Sequence, residues 1–439
     1  MADIRPFRGI RYSPSQVGLD LSAVVCPPFD VITPGEQQAL YERDPRNMVR
    51  LELTPAETGD DDTARYDRAA TQLRGWLADG TLVRESQPAL YPCLTSFAID
   101  GRSYQRRGLL ALLHLEPWDS GVVRPHERTL SKAKADRLAL LRACRTNLSP
   151  IWVVSRGPGK ALEHLWEQIG KQDPSAQVSG PTSHTFWACT EPSVLEEVHS
   201  AWSSLPVYIA DGHHRYETAL NYRNEALPQR GDDAANFVLT YFVESSDPGL
   251  VVLGIHRLLR WPGGIAASDL RAKLETWFDI EESTASPEQL LAELNREPSR
   301  PAFAIWSPSL GLGATCWLKD SSVPRDRAEG HSDAWRQLDV AALHVLAIDS
   351  LFPAGTTALG EAGQLTYTDS LSEVQRAIQG GEAQIAILIR GTPVEAVMAV
   401  ADAGDRMPEK STFFYPKPVT GAVLASLEGR VNSVAMPNL

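Results

Sequence analysis

Apolar and polar positions along the chain switch between a period of two and a period near 3.6, and the switches outline an α+β protein. Residues 89–99 and 103–115 read as strands joined by the Asp100-Gly101 turn, a strong hairpin signal. Short apolar runs at 151–154, 185–189, 207–209 and 235–243 read as further strands. Residues 63–79 carry Tyr66, Ala69, Ala70, Leu73, Trp76 and Leu77 at helical spacing, and residues 136–146, 160–171, 192–205 and 216–223 are also expected as helices. Near the start, residues 24–32 are expected as a strand running into a turn stiffened by Pro27 and Pro28, and residues 47–53 as another strand. Between them Thr33-Pro34-Gly35-Glu36 has the form of a capping box with proline at the first helical position. Beyond residue 246 the pattern predicts helices at 268–278, 286–295 and 339–351, and strands at 250–259, 302–306, 315–319, 385–389 and 395–400. Three sections follow from this: an N-terminal α/β section over 1–90, a mixed-sheet core over 91–245, and a C-terminal α+β section over 246–439.

Composition narrows the function classes. The 439 residues are 43% hydrophobic and 22% charged, ordinary for a globular chain able to bury a full core. A formal net charge of −13 argues against nucleic acid as a partner, because phosphate-backbone binding needs a basic face. No apolar run reaches the roughly 18 to 20 residues of a membrane span, and the first residues lack the apolar core of a signal peptide. The expected location is therefore the cytoplasm, with no membrane partner. Five widely spaced cysteines without a Cys-x-x-Cys pair suggest neither a disulfide framework nor a zinc site.

Chemistry concentrates in Val207-Tyr208-Ile209-Ala210-Asp211-Gly212-His213-His214-Arg215, where a polar turn joins a buried strand to a helix. Gly212 permits positive φ or close approach of a ligand, and the following helix offers amide donors and the positive end of its dipole. His213, His214 and Arg215 add donors suited to phosphate, while Asp211 could hold a metal ion, orient a hydroxyl or accept its proton. The plainer alternative is an Asp N-cap followed by a solvated basic turn.

Upstream, Arg124-Pro125-His126-Glu127-Arg128-Thr129 sets an acid among cations, with Lys132, Lys134 and Arg137 continuing the positive run. A carboxylate so surrounded stays ionised and positioned, as a base acting on a hydroxyl requires, although surface ion pairs give the same pattern. Arg5-Pro6-Phe7-Arg8-Gly9 is either surface charge or a cationic arm for an anionic ligand, and Asp30 is either a local cap or a catalytic acid. His256-Arg257 reads as edge decoration or as an inward cation. In the tail, residues 407–421 combine two lysines, three aromatics and three prolines in a stiff, non-helical segment. There Lys410 with Ser411 could grip phosphate oxygens, or the whole could be a strap over the core. Neither a Gly-x-x-x-x-Gly-Lys-Ser/Thr loop nor a His-Arg-Asp loop occurs, so the common nucleotide-binding and protein-kinase folds are not indicated.

Asp211-Gly212-His213-His214-Arg215 resembles the signature of the ParB/sulfiredoxin-like fold in the branch containing free serine kinases. The wider chain is similar to the uncharacterised-domain family numbered 1015 through Arg5 to Gly9, Cys26-Pro27-Pro28-Phe29-Asp30, Pro125 to Thr129, the Asp211 stretch and Lys410 to Pro418. The resemblance implies a small-molecule kinase that moves a phosphoryl group from ATP, ADP or pyrophosphate, with Mg²⁺, to the hydroxyl of free L-serine or a related amino acid. On that reading Glu127 matches the family's catalytic glutamate and works with Asp211. Gly212, His213, His214, Arg215, Arg128, Thr129, Lys410 and Ser411 would hold donor phosphates, and Arg8 and Lys417 would contact substrate. The metal ligands and the oligomeric state stay open. A second reading is a ParB-like nucleotide-binding regulatory module without phosphotransfer. Sulfiredoxin-like thiol chemistry is disfavoured, since no cysteine lies in the Asp211 stretch.

Overall fold

The computed structural model describes residues 2–431 apart from 130, 158, 204, 231–232, 262–263, 265 and 353–354. The side chain of Lys132 also lies outside the described residues. The chain forms two compact units, one of residues 1–251 with 416–439, the other of residues 252–415. The expected sections 1–90 and 91–245 therefore share a unit, and the tail from residue 416 rejoins them. The cause is pairing: the first strand lies in the same sheet as the core strands, and the tail bonds to the N-terminal residues.

Among its described residues the first unit holds a nine-stranded mixed sheet. Its strands are β1 (Ile4–Arg5), β2 (Tyr91–Ile99), β3 (Arg102–His114), β4 (Val123–Arg124), β5 (Ile151–Ser155), β6 (Ala176–Val178), β7 (Ser183–Phe186), β8 (Val207–Asp211) and β9 (Phe237–Glu244). The order is β4-β8-β5-β9-β3-β2-β7-β6, with β1 also paired to β3. The β2/β3 hairpin turns at Asp100 and Gly101, both at positive φ as its tight loop requires. Two pairings are parallel, β8 with β4 and β5 with β9, and the rest are antiparallel. All of β5 is buried and β9 is buried from Phe237 to Val243, so their unbroken apolar runs follow from cover on both faces.

The helices pack where their apolar stripes predict. In the first unit they include α1 (Pro34–Arg43), α2 (Val49–Glu52), α3 (Ala64–Ala78), α4 (Ser131–Cys144), α5 (Lys160–Ile169), α6 (Pro192–Trp202) and α7 (His213–Arg230). Leu165 and Ile169 of α5, Val198 and Trp202 of α6, and Tyr216 and Ala219 of α7 bury against Val153, Ile209 and Val238 in one core. The expected capping box is present on α1, where Thr33 Oγ1 accepts from the Glu36 amide and the Glu36 carboxylate accepts from the Thr33 amide.

Residues 24–32 form no strand, only the isolated Cys26 bridge to Thr420 and a short 3₁₀ turn over Phe29–Val31, and two further expected strands are not strands. Residues 47–53 contain α2, because buried Asn47 accepts from the Val49 amide at 3.0 Å and starts a helical turn. The same side chain donates to the carbonyls of Ala23 at 2.7 Å and Val25 at 3.1 Å, satisfying a segment that the apolar run alone would send to a sheet.

The second unit carries its own six-stranded sheet among the described residues. It is antiparallel throughout, with β10 (His256–Leu259), β11 (Phe278–Glu282), β12 (Ala302–Ser307), β13 (Leu312–Leu318), β14 (Leu365–Thr368) and β15 (Ile385–Leu388) in the order β11-β13-β12-β15-β10-β14. The third failed strand, 395–400, lies in a helix over Val394–Asp402, whose Val394, Val397, Met398 and Ala401 share one buried side at helical spacing. The run 250–259 breaks at Gly254, where a Cβ would stand 1.9 Å from the Ile389 carbonyl oxygen. No helix among the described residues is long and apolar enough to cross a membrane.

Arg106 of β3 is fully buried and anchors the returning tail to the first sheet. Its Nη2 donates to the Pro416 carbonyl at 2.6 Å, its Nε to the Tyr241 hydroxyl at 3.3 Å, and its guanidinium lies 4.2 Å from the Trp152 ring centroid. Tyr241 comes so close to Gly108 that a Cβ there would lie 2.1 Å from its ring. Gly108→Ala is therefore expected to cost about 1–3 kcal/mol through overpacking, measured by urea denaturation. An unchanged midpoint would show that the ring yields without cost.

Candidate functional site

Strand β8 ends at Asp211, and α7 begins two residues later. The pairing of β8 with β5 slips between Ile209 and Asp211, and Gly212 follows at φ +92°. The left-handed turn is sterically costly for any residue with a Cβ. It brings the first turn of the helix back over the strand end, and Arg215 folds onto the carboxylate four residues before it. Arg215 Nη2 meets Asp211 Oδ2 at 2.5 Å, and Nη1 donates to the Pro150 carbonyl. Lys417, arriving on the tail of the same unit, stands 2.7 Å from Asp211 Oδ1 and also binds Asp30.

These contacts fix the charge state. Burial alone would raise the Asp211 carboxyl, but Lys417 and Arg215 outweigh it and hold the group at about 2. Lys417 shows the converse: burial works against its charge, yet Asp211 and Asp30 push its ammonium above the usual range.

Glu127 approaches the same turn from the loop after β4. It faces two buried imidazoles, His126 at 0% exposure and His213 at 4%, and is itself 31% exposed at its side chain. His126 Nδ1 lies 2.8 Å from the Ile209 carbonyl, which only accepts, so this nitrogen carries a proton. Its Nε2 lies 3.9 Å from Glu127 Oε1. The His126 backbone amide donates to His213 Nε2 at 3.3 Å, so that nitrogen offers its lone pair. The proton of neutral His213 then sits on Nδ1, which is 3.8 Å from Glu127 Oε2. Both separations exceed a direct hydrogen bond and leave room for a bridging water. The rings meet edge to face with centroids 4.7 Å apart.

Thr129 and Lys134 both bond Glu217 of α7, Lys134 at 2.8 Å, and so tie the Glu127 segment to the helix. Burial lowers the pKa of half-buried His214, opposed by the nearby Glu217 carboxylate. The sequence-expected residues Glu127, Thr129, Asp211, Gly212, His213, His214, Arg215 and Lys417 thus share one region of the first unit.

Others lie elsewhere in the fold or do different work. Arg128 is exposed, and Arg8 donates through Nε to the Glu85 carbonyl at 2.8 Å. Lys410 and Ser411 belong to the second unit. There the Lys410 carbonyl accepts from Arg257 at 3.0 Å and Ser411 Oγ donates to the Pro408 carbonyl. Arg257 is the inward cation of the two alternatives, fully buried, its Nη2 3.1 Å from His344 Nε2. Sequence reasoning left His126 and Glu217 without a role. For His126 the signal was its place beside Glu127; for Glu217, its position six residues after Asp211 in a helix, close to the turn.

An α+β protein with a mixed sheet carries, at one strand end, a buried acid locked between two cations beside a carboxylate set against two imidazoles. The chain belongs to the family described as "Protein of unknown function (DUF1015)", whose model matches residues 4–341. No curated protein matches it. Among solved structures it is similar to a conserved hypothetical protein from Pyrococcus furiosus, at 13% identity and TM-score 0.36 over 72% of this chain and 95% of that one. It is also similar to a glutamate-to-alanine mutant of free serine kinase in complex with AMP, at 11% identity and TM-score 0.37 over 73% of this chain and 89% of that one. SbnI with a C-terminal truncation, from Staphylococcus aureus, gives 10% identity and TM-score 0.32 over 75% and 90%.

The locked acid has a pH signature. A carboxyl held at about 2 when folded, against about 3.9 unfolded, contributes stability above pH 4 that is lost as pH falls toward 2. Lys417→Met removes the shared cation and is expected to cost about 3 kcal/mol or more at neutral pH. The deficit should shrink on acidification, as Asp211 protonates in the variant first. Urea titrations across the acid range check this, and a deficit independent of pH would contradict it.

Proposed function

We propose that this protein is a phosphotransferase that moves a phosphoryl group from ATP, ADP or pyrophosphate to the hydroxyl of a small metabolite, free L-serine or a related amino acid. The observation that carries the reading is the Glu127 carboxylate set before the buried His126 and His213 rings at the opening turn of α7. Glu127 is partly exposed, within reach of an incoming hydroxyl, and the imidazole pair behind it restrains its orientation. As the acceptor oxygen attacks phosphorus, Glu127 takes its proton, and the bond to the leaving phosphate breaks with its electron pair staying on that phosphate. The α7 N-terminus, with its aligned dipole, favours the phosphate negative charge at this turn.

Asp211 has a different task. Fully charged and gripped by Lys417 and Arg215, it sets the turn that carries His213. Serine as acceptor is supported by the resemblance of the Asp211 to Arg215 stretch to free serine kinases. Mg²⁺ accompanying a nucleotide would screen the phosphate charges. Among the described residues no three His, Cys, Asp or Glu side chains are grouped to hold a metal ion, and the Asp211 oxygens are engaged by cations. The side chains described do not form a cage for that ion.

A second reading, a nucleotide-binding regulatory module without transfer, is favoured by one feature: among the described residues no three His, Cys, Asp or Glu side chains are grouped to hold the metal ion that phosphoryl transfer uses. Purified protein incubated with each donor, Mg²⁺ and single amino acids, followed by mass spectrometry, separates the two. Wild type is expected to yield a phosphorylated amino acid. Glu127→Gln should lower kcat about a hundredfold to ten-thousandfold while nucleotide binding persists. Undiminished transfer in both Glu127→Gln and Asp211→Asn would sink the assigned roles, and stoichiometric nucleotide binding without any product would favour the module.

A further inference from the structure

A cavity lies behind the Asp211 turn, within the same unit. It has a volume of about 50 Å³ and is walled by α2, α4, α7 and the segment before β5. That is several times the roughly 10–15 Å³ that a single water requires, room for a small molecule. One of its polar groups has no hydrogen-bond partner among the described residues and a second is only loosely paired. Thr218 of α7 is 2% exposed, and its hydroxyl makes no hydrogen bond to any described residue. Leaving such a hydroxyl dry and unpaired costs about 1–3 kcal/mol.

The other is the Glu52 carboxylate, buried to the same degree. Its neighbouring cation is Arg137, but that guanidinium is turned to Asp136, with Nη2 and Nε at 2.5 and 2.7 Å from one oxygen. Arg137 Nη1 stands 3.5 Å from Glu52 Oε1 and donates at 3.0 Å to the Glu52 backbone carbonyl instead. Ser149 Oγ donates to the carboxylate at 3.2 Å. A buried carboxylate so thinly covered is complementary to a further cationic donor. Apolar leucines form much of the remaining wall, which suits a short carbon chain.

We propose that this cavity binds a two- or three-carbon primary-ammonium compound, its ammonium on Glu52 and a polar group on Thr218. The ammonium supplies several donors to an acceptor-only group, and a chain of two or three carbons matches the volume. Arg215 lines the same cavity and holds Asp211, so an occupant would touch the far side of the Asp211 turn. The inference does not depend on phosphoryl transfer.

Glycine, L-serine and ethanolamine, with glycolate as the isostere of glycine lacking the ammonium, are titrated into the full-length protein by calorimetry and thermal melting. At least one amine is expected to bind and raise Tm, with glycolate inert, and the amino acid and amino alcohol arms tell whether the carboxylate adds to recognition. Glu52→Gln should weaken binding at least about tenfold, the loss of one charge-assisted hydrogen bond. Thr218→Val, nearly isosteric, should weaken it severalfold while leaving the unliganded melting curve close to wild type, which keeps the test valid if Glu52→Gln folds poorly. The proposal falls if no amine binds, if glycolate binds as well as glycine, or if Thr218→Val binds amines as tightly as wild type.

Discussion

The first unit depends on how the Asp211 charge is neutralised. A carboxylate at the end of a buried strand loses most of its hydration, and in low dielectric that loss is tolerated only with close cationic partners. Here the partners come from far apart in sequence: Arg215 from the first turn of α7, and Lys417 from a tail two hundred residues downstream that also binds Asp30. One ionic cluster thereby joins the Pro27-Pro28 turn, the end of β8, the start of α7 and the returning tail. The tail has a second anchor in Arg106, which donates to the Pro416 carbonyl while its guanidinium lies over the Trp152 ring. Arginine is suited to that place, since its planar guanidinium stacks on rings while donating from the edge.

The same restraint sets the histidines. Because Gly212 turns the chain at positive φ, His213 points back toward the loop after β4, where the His126 amide fixes its tautomer. His126 is oriented in turn by the Ile209 carbonyl of β8. Strand and loop each determine one ring nitrogen, and Glu127 is the group that both rings then face.

Much of this was legible in the sequence, and the limits are physical. The β2/β3 hairpin, the Thr33 capping box, the Asp211 strand-turn-helix and the mixed α+β character all follow from local signals: turn residues, side-chain caps and periodicity. Errors arose where one distant contact overrode the pattern. Asn47 drew residues 47–53 into a helix, and valines in 394–402 satisfied a helical period despite their preference for strands. At the site, the residue types were visible but their pairing was not. Lys417 looked like a substrate contact, and only the folded chain shows it spending its charge on Asp30 and Asp211. Glu217 carried no signal beyond its position in the helix, and Thr218 reads from sequence as an ordinary helical residue.

That pairing changes what the cationic turn can do. For Arg215 or Lys417 to clasp a polyphosphate, each would have to leave a buried carboxylate, and separating such a pair costs on the order of 3–5 kcal/mol. A donor would recover that only by delivering its own charge to the same spot, next to Asp211, which repels it. The lower-energy arrangement leaves both cations in place as braces. In the proposed transfer, phosphate recognition then falls to neutral donors around the α7 start and to cations not bound to Asp211. Within the proposed transfer, the five residues from Asp211 to Arg215 then act as a rigid mount for His213, and the proton-accepting role falls to the carboxylate that His213 faces.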